Sequence, residues 1–147
     1  MGKSTNSLKV QADLKNLSDI REFVKDSAEV AGLSEGEIYE IRLAVDEACA
    51  NIISHGYKGN DGDITVTVGH DNDSLTVSLR DSAPLYNPLE ETPSPNLDIP
   101  LEERAIGGMG VLIVKQNTDC VKYQHSATGG NELILTKFRA GPSTLSG

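Results

Sequence analysis

A glutamate and an asparagine, Glu47 and Asn51, stand four residues apart in a segment with helical periodicity. Residues four apart on a helix lie one above the other. An amide oxygen suits a hard cation such as Mg²⁺, and a carboxylate suits proton transfer from a hydroxyl group. We expect both side chains to lie roughly opposite the apolar stripe of the helix. The alternative is that they have no function, because most such pairs on helices simply face solvent. The apolar stripe comprises Ile38, Ile41, Val45, Cys49 and Ile52.

Asp81 ends a segment of alternating apolar and polar residues and precedes Ser82, Ala83 and Pro84. Its carboxylate can accept a hydrogen bond from an exocyclic amine such as that of adenine. The alternative is structural, because an aspartate before serine and proline often starts a turn. Taken alone, this residue leaves both interpretations open.

A glycine cluster, Gly107, Gly108 and Gly110 around Met109, precedes an aliphatic segment with helical spacing. Clustered glycines let backbone N–H groups approach phosphates, and a helix N-terminus favours anions. The alternative is a flexible junction between a loop and a helix. The cluster is neither a Walker A motif, which needs a following Gly-Lys-Ser/Thr, nor the dinucleotide fingerprint, which needs a strand directly before it.

Hydrophobic spacing predicts the elements that must position these residues. A capping-box pattern, Ser34 followed by Glu37, opens the helix that carries Glu47, and Gly56 is expected to end it. Asn16 or Ser18 is expected to cap the preceding helix. In chain order we predict a strand at 8–12, helices at 17–31 and 34–55, strands at 63–69 and 74–79, a helix from 108 and strands at 120–125 and 132–138.

Hairpin connections predict antiparallel pairing, with the helices on one face of a sheet. The expected fold is an α/β two-layer sandwich with a mixed, mostly antiparallel sheet, and not a doubly wound Rossmann fold. Residues 82–103 hold all but one of the six prolines and predict a long loop. We expect a single domain over 1–147, with its core at about 8–138 and a flexible tail at 139–147.

The composition excludes several classes of function. A net charge of −9 argues against broad binding to nucleic acid or to anionic membranes. No signal peptide or membrane-spanning segment is expected. The two cysteines, Cys49 and Cys120, predict free thiols, and the three histidines lack metal-ligand spacing.

The order Glu47-x-x-x-Asn51, Asp81, then Gly108-x-Gly110 resembles the N, G1 and G2 boxes of the GHKL ATPases. Three segments resemble the anti-sigma-factor serine/threonine kinases of that superfamily, and the resemblance covers nearly all of residues 8–137. It implies the GHKL (HATPase, or Bergerat) ATP-binding fold. The segments are EIRLAVDEACANIISHGY (40–57), DSAPLYNP (81–88) and RAIGGMGVLIVKQNTDCVKYQHSATGGNELILTK (104–137).

The resemblance also implies roles for single residues. Asn51 would hold Mg²⁺ on the ATP phosphates, Glu47 would act as the general base, and Asp81 would bind the adenine amine. Arg104 would reach the terminal phosphate, where phosphoryl transfer gains most from neutralised charge. The glycine cluster would bind the phosphates beneath a lid formed by residues 84–107.

Two positions depart from the family pattern. Ala83 stands where the G1 box usually begins with glycine, and Pro84 follows it where a flexible residue is common. Gly130 and Asn131 stand where a Gly-Thr pair closes the adenine pocket in the family, so that Asn131 replaces the usual threonine. These changes bear on nucleotide affinity more than on the catalytic pair.

The function that the resemblance implies is that of a cytoplasmic, ATP- and Mg²⁺-dependent protein kinase. Such a kinase phosphorylates an anti-anti-sigma partner of the STAS type and sequesters a sigma factor, and relatives often form homodimers. The alternative is an ATP-binding regulatory module that acts by association alone. The ATPase part of a two-component histidine kinase fits less well, because no dimerisation helix with a phosphoacceptor histidine is present before the domain.

Overall fold

The computed structural model describes residues 4–84, 112–125 and 129–139. Two α-helices and a third helical segment pack against one sheet. The strands are β1 (Ser4–Gln11), β2 (Asp63–His70), β3 (Ser74–Asp81), β4 (Cys120–His125) and β5 (Asn131–Phe138). The helices are α1 (Leu17–Val30), which follows a 3₁₀ turn at Leu14–Asn16, α2 (Glu35–Asn51) and the helical residues 112–116, called α3.

The capping box predicted for α2 is present. The Ser34 hydroxyl accepts from the Glu37 N–H at 3.2 Å, and the Glu37 carboxylate accepts from the Ser34 N–H at 2.8 Å. Two of the N–H groups that a helix start leaves unpaired are thereby satisfied. This pair sets the start of the helix that carries Glu47 and Asn51.

The ends of α1 were predicted in part. Asn16 is the N-cap residue, but its side chain makes no capping bond and its amide instead donates to the Gln11 carbonyl at 2.9 Å. Gly32 follows the helix with φ +85°, a conformation that glycine adopts without steric cost. The predicted glycine stop is therefore confirmed.

The end of α2 differs from the prediction. The α-helix ends at Asn51 and continues as a π-helix over Ile52–Tyr57, so Gly56 lies within it. The chain leaves the helix at Lys58, which has φ +53°. Gly56 has a different role, since a β-carbon there would lie 3.4 Å from the β-carbon of Ala83. The absent side chain of Gly56 leaves space for the methyl group of Ala83.

The sheet has the strand order β1-β2-β3-β5-β4, and all four of its described pairings are antiparallel. The mostly antiparallel sheet that was expected is therefore present, with no parallel pair among the described strands. β3 and β4 run in the same direction, but β5 lies between them and pairs antiparallel with each. The predicted two-layer α/β architecture is confirmed, and it is consistent with the GHKL ATPase fold.

The core lies between the sheet and the helices. Alternate residues of β2 and β3 are buried, while the intervening threonines and serines are half-exposed. The apolar stripe predicted on α2 is buried as a whole, including the thiol-bearing Cys49. None of the helices in the described residues is long and apolar enough to cross a membrane. Most of the predicted loop and tail lies outside the described residues.

Candidate functional site

The register between β3 and β5 places Asp81 directly opposite Asn131. β5 begins one residue earlier than the sequence predicted, so Asn131 belongs to the strand and not to the turn. Both side chains are buried, and the Asn131 Nδ2 donates to the Asp81 Oδ1 at 2.8 Å. The two residues that the family resemblance assigns to an adenine pocket therefore contact each other.

Asp81 also forms a turn. The Ala83 N–H donates to the same carboxylate oxygen, Oδ1, at 3.0 Å, so the structural interpretation of this aspartate, a residue that starts a turn, is confirmed. Burial raises the pKa of Asp81, and the hydrogen bonds from Asn131 and Ala83 act in the opposite direction. Among the described residues, no donor contacts Oδ2 of Asp81. This oxygen remains available to a ligand that carries an amine.

Gly130 lets the two strand ends approach. It has φ +87°, and a β-carbon on it would lie 2.0 Å from the carbonyl oxygen of Asp81 and 2.8 Å from the α-carbon of Ser82. Real β-carbons do not come that close to backbone atoms. A glycine is therefore required at this position for Asn131 to reach Asp81.

A small pocket lies between α2, the π-helix and the adjoining ends of β3, β4 and β5. Its walls are mostly apolar, with a carboxylate and two amides among them. Apolar walls with a few convergent polar groups are typical of small-molecule sites. The lining residues are Ala48, Asn51, Ile52, Gly56, Asp81, Tyr123, Asn131 and Leu133.

Asn51 is a buried residue of this pocket. It is only 9% exposed and lines the pocket, so it does not belong to a solvated helix face. None of the described residues donates a hydrogen bond to its Oδ1, which is itself buried. A buried amide oxygen without a donor costs free energy, and a cation that takes oxygen ligands would satisfy it. The site therefore fits Mg²⁺ through Asn51.

Mg²⁺ commonly keeps several waters and uses few protein ligands together with phosphate oxygens. A single protein oxygen is compatible with this chemistry. In the part of the chain that the structure describes, no group of three or more His, Cys, Asp or Glu side chains forms a conventional metal cluster. Asn51 is accordingly the candidate ligand among the described residues.

Glu47 lies on α2 one turn before Asn51 and is half-exposed. It is not among the residues that line the pocket. Ala83 is buried beside the pocket against Gly56. The structure thus brings Asp81, Asn131, Ala83 and Asn51 to one place and leaves Glu47 at its margin.

The remaining predicted site residues, Arg104, Gly107, Gly108, Met109 and Gly110, lie outside the described residues. The predicted lid at 84–107 does so too, apart from Pro84. Their roles stay predictions.

Two tyrosines contribute to the site without having been singled out from the sequence. Tyr123 lines the pocket, and its hydroxyl donates to the Asn131 Oδ1. The Tyr57 hydroxyl accepts a hydrogen bond from the N–H of Ser82, the residue after Asp81, and donates one to the carbonyl oxygen of Asp63. The sequence did contain a signal for Tyr123. The alternation in 120–125 turns Tyr123 inward together with Val121, and a tyrosine hydroxyl that points inward normally needs a hydrogen-bond partner.

Comparison with known proteins agrees with this geometry. The family described as the histidine kinase-like ATPase domain matches residues 10–137. The chain is 26% identical over 134 residues to the serine-protein kinase RsbW of Bacillus cereus strain ATCC 10987, covering 89% of this chain and 82% of the relative. Proteins of the same name from Bacillus cereus strain B4264 and Bacillus mycoides strain KBAB4 are 26% and 25% identical, with the same coverage.

Proposed function

This chain belongs to the histidine kinase-like ATPase family, and on that premise we propose that it is an ATP-dependent serine/threonine protein kinase acting as an anti-sigma regulatory factor. The observation that carries the proposal is one pocket with two buried polar groups. Asp81 offers a carboxylate oxygen to an amine, and Asn51 offers a cation an amide oxygen that no described residue bonds. ATP with bound Mg²⁺ has both an amine, on adenine, and a cation, on the phosphates.

In the proposed mechanism, Asp81 accepts a hydrogen bond from the adenine amine and thereby sets the position of the nucleotide. Asn51 supplies an oxygen ligand for Mg²⁺, which would neutralise charge on the phosphates. Glu47, one turn before Asn51 and half-exposed, accepts the proton of the serine hydroxyl. The serine oxygen forms a bond to the terminal phosphorus of ATP while the bond from that phosphorus to the bridging oxygen breaks, and ADP leaves. Arg104 and the glycine cluster at 107–110 complete the phosphate site by resemblance to the family.

The partners follow from the same resemblance. We propose that the phosphorylated protein is an anti-anti-sigma factor of the STAS type, and that the unphosphorylated partner competes with a sigma factor for this chain in the cytoplasm. The name of the relatives, serine-protein kinase, supports phosphoryl transfer to a protein serine. Homodimerisation is a further prediction from the family.

The first test is calorimetric titration with ATP, with and without Mg²⁺. Wild-type protein is expected to bind ATP in a magnesium-dependent manner, and Asn51→Ala and Asp81→Asn to weaken binding by about tenfold or more, the value of a hydrogen bond or ligand bond to a charged group. Asn60→Ala and Asp61→Asn, at exposed positions, are the matched controls. Absence of ATP binding by the wild type would contradict the proposal.

The alternative, a module that binds ATP and acts by association alone, is separated by Glu47→Ala. A kinase loses transfer of labelled phosphate to a STAS protein in this variant but keeps its ATP affinity, whereas exposed Glu22→Ala keeps both. Wild-type protein that binds ATP and the partner but transfers no phosphate would establish the association module instead.

A further inference from the structure

Three side chains form a continuous hydrogen-bonded series that ends at the carboxylate of Asp81. The Tyr123 hydroxyl donates to the Asn131 Oδ1, and the Asn131 Nδ2 donates to the Asp81 Oδ1 at 2.8 Å. We propose that Tyr123 and Asn131 are positioning residues that hold Asp81 for a purine with an exocyclic amine and against one with a keto oxygen at the same place. This inference rests on the proposed ATP site.

The surroundings determine the orientation of the Asn131 amide. Its Nδ2 faces three acceptors, namely the Asp81 carboxylate and the carbonyl oxygens of Ala83 and Pro84, at 2.8, 3.3 and 3.1 Å. A flipped amide would turn its oxygen toward all three acceptors. The hydroxyl of Tyr123 can donate to Oδ1 only in the observed orientation. Tyr123 therefore stabilises the orientation in which Asn131 donates to Asp81.

Asn131 does more than the threonine that it replaces could do. An amide group has two N–H hydrogens, whereas a hydroxyl group has one. One hydrogen of Asn131 serves the carboxylate of Asp81, and the other serves the carbonyl groups of Ala83 and Pro84. The same side chain therefore holds both the acceptor and the backbone that leaves β3.

The ring of Tyr123 is itself constrained. It meets the ring of His125 edge to face, with centroids 5.9 Å apart and an angle of 80° between the planes. The ring also lines the pocket. The hydroxyl is therefore presented to Asn131 from a defined direction.

As a consequence, the Asp81 carboxylate presents one particular oxygen as the hydrogen-bond acceptor for the purine base. Both described donors, Asn131 and the Ala83 N–H, meet Oδ1, so Oδ2 is the oxygen left for a ligand. A carboxylate oxygen attracts an amine N–H and repels a keto oxygen. A buried site that requires a particular hydrogen-bond partner discriminates strongly between a base with an amine and a base with a keto oxygen. This discrimination weakens if the carboxylate of Asp81 can turn.

The test compares ATP with inosine triphosphate, whose base has a keto oxygen where adenine has its amine. Calorimetric affinities are measured for wild type, Tyr123→Phe and Asn131→Thr, with the exposed Tyr39→Phe as the matched control. The ratio of the two affinities removes effects common to both nucleotides, because their ribose and triphosphate are identical. Unfolding curves confirm that each variant is folded.

We expect Tyr123→Phe to reduce the preference for ATP over inosine triphosphate by about three- to tenfold, the loss expected for one hydrogen bond. Asn131→Thr is expected to reduce it further, and Tyr39→Phe to leave it unchanged. A folded Tyr123→Phe variant with the wild-type ratio, or with both affinities lowered equally, overturns the inference while the ATP site stands. A wild type that binds neither nucleotide overturns the proposed function itself.

Discussion

The hydroxyl of Tyr57 joins the end of the π-helix to the backbone of Ser82. The Ser82 N–H donates to it at 2.7 Å, and it donates to the carbonyl oxygen of Asp63 at 2.7 Å. Gly62 leaves room for the ring, because a β-carbon there would lie 2.0 Å from a ring carbon of Tyr57. This side chain therefore connects the helix that carries Asn51 to the strand that carries Asp81.

Replacing Tyr57 by phenylalanine removes both of these bonds without removing the buried ring. The N–H of Ser82 and the carbonyl of Asp63 lose partners in a half-buried region, which costs about 1–3 kcal/mol of unfolding free energy. ATP affinity is expected to fall as well, because the backbone next to Asp81 is released. Urea unfolding and calorimetry measure the two effects. Exposed Tyr39→Phe serves as the control, and equal stability of both variants would contradict the prediction.

Asp81→Asn is expected to separate stability from binding. Asparagine keeps an oxygen that can accept from Asn131 and from the Ala83 N–H, but it carries no charge that burial disfavours. At neutral pH the variant should be at least as stable as wild type while its ATP affinity falls by about tenfold or more. A variant clearly less stable than wild type at neutral pH would show that the charge contributes to the fold.

The same substitution predicts a pH dependence. Burial raises the pKa of Asp81 in the folded protein, so the folded state binds the proton more tightly than the unfolded chain does. The resulting stabilisation is fully present below the ordinary carboxyl pKa and is lost as the pH rises through the raised pKa. The stability advantage of Asp81→Asn over wild type should therefore appear over that interval and vanish at lower pH. Urea unfolding across this range measures the difference.

Gly130→Ala is expected to be far more damaging than Gly129→Ala. Both residues have positive φ, +87° and +95°, so both substitutions strain the backbone by about 1 kcal/mol. A β-carbon on Gly130 would lie 2.0 Å from a backbone oxygen, whereas no atom of the described residues lies within 4 Å of a β-carbon on Gly129. We expect a loss of about 3 kcal/mol or more at Gly130, the range of severe overpacking or strain. Similar unfolding midpoints for the two variants would argue against this close approach.

The ion pair between Lys137 and Glu40 ties β5 to α2 at an N–O distance of 2.6 Å. The lysine side chain is only 11% exposed, so removing its partner leaves a charge with little access to water. Glu40→Ala should cost about 1–2 kcal/mol, between the values for exposed and for buried pairs. Glu29→Ala breaks the more exposed pair with Lys25, at 3.8 Å, and should cost less than about 0.5 kcal/mol. Chemical unfolding of both variants tests the contrast.

Local patterns predicted much of the fold because the energies that create them are local. The Ser34–Glu37 capping box, the glycine after α1 and the alternation of β2 and β3 each depend on neighbours within a few residues. The predicted elements therefore agree with the described ones to within a few residues. The errors fall where distant segments meet, as at the π-helix and at the first residue of β5.

The candidate site shows the same division. The sequence identified Asp81, Asn51 and Asn131, because the order of the boxes resembles a known family. It placed Asn51 roughly opposite the apolar stripe of α2 and left a solvated face open as the alternative, since helical periodicity locates a side chain only relative to its own helix. Whether that face meets water or a sheet depends on packing, and here Asn51 faces the pocket.

The sequence alone was enough to predict the two-layer arrangement, the composition of the core and the three candidate polar residues, Asn51, Asp81 and Asn131. Only the tertiary structure decided that Asp81 and Asn131 pair across two strands, that Gly130 permits their approach, and that Tyr123 orients the amide. The reason is that strand register and hydrogen-bond direction depend on contacts between residues far apart in sequence, such as Asp81 and Asn131, which are 50 positions apart. Short-range periodicity carries no information about such contacts.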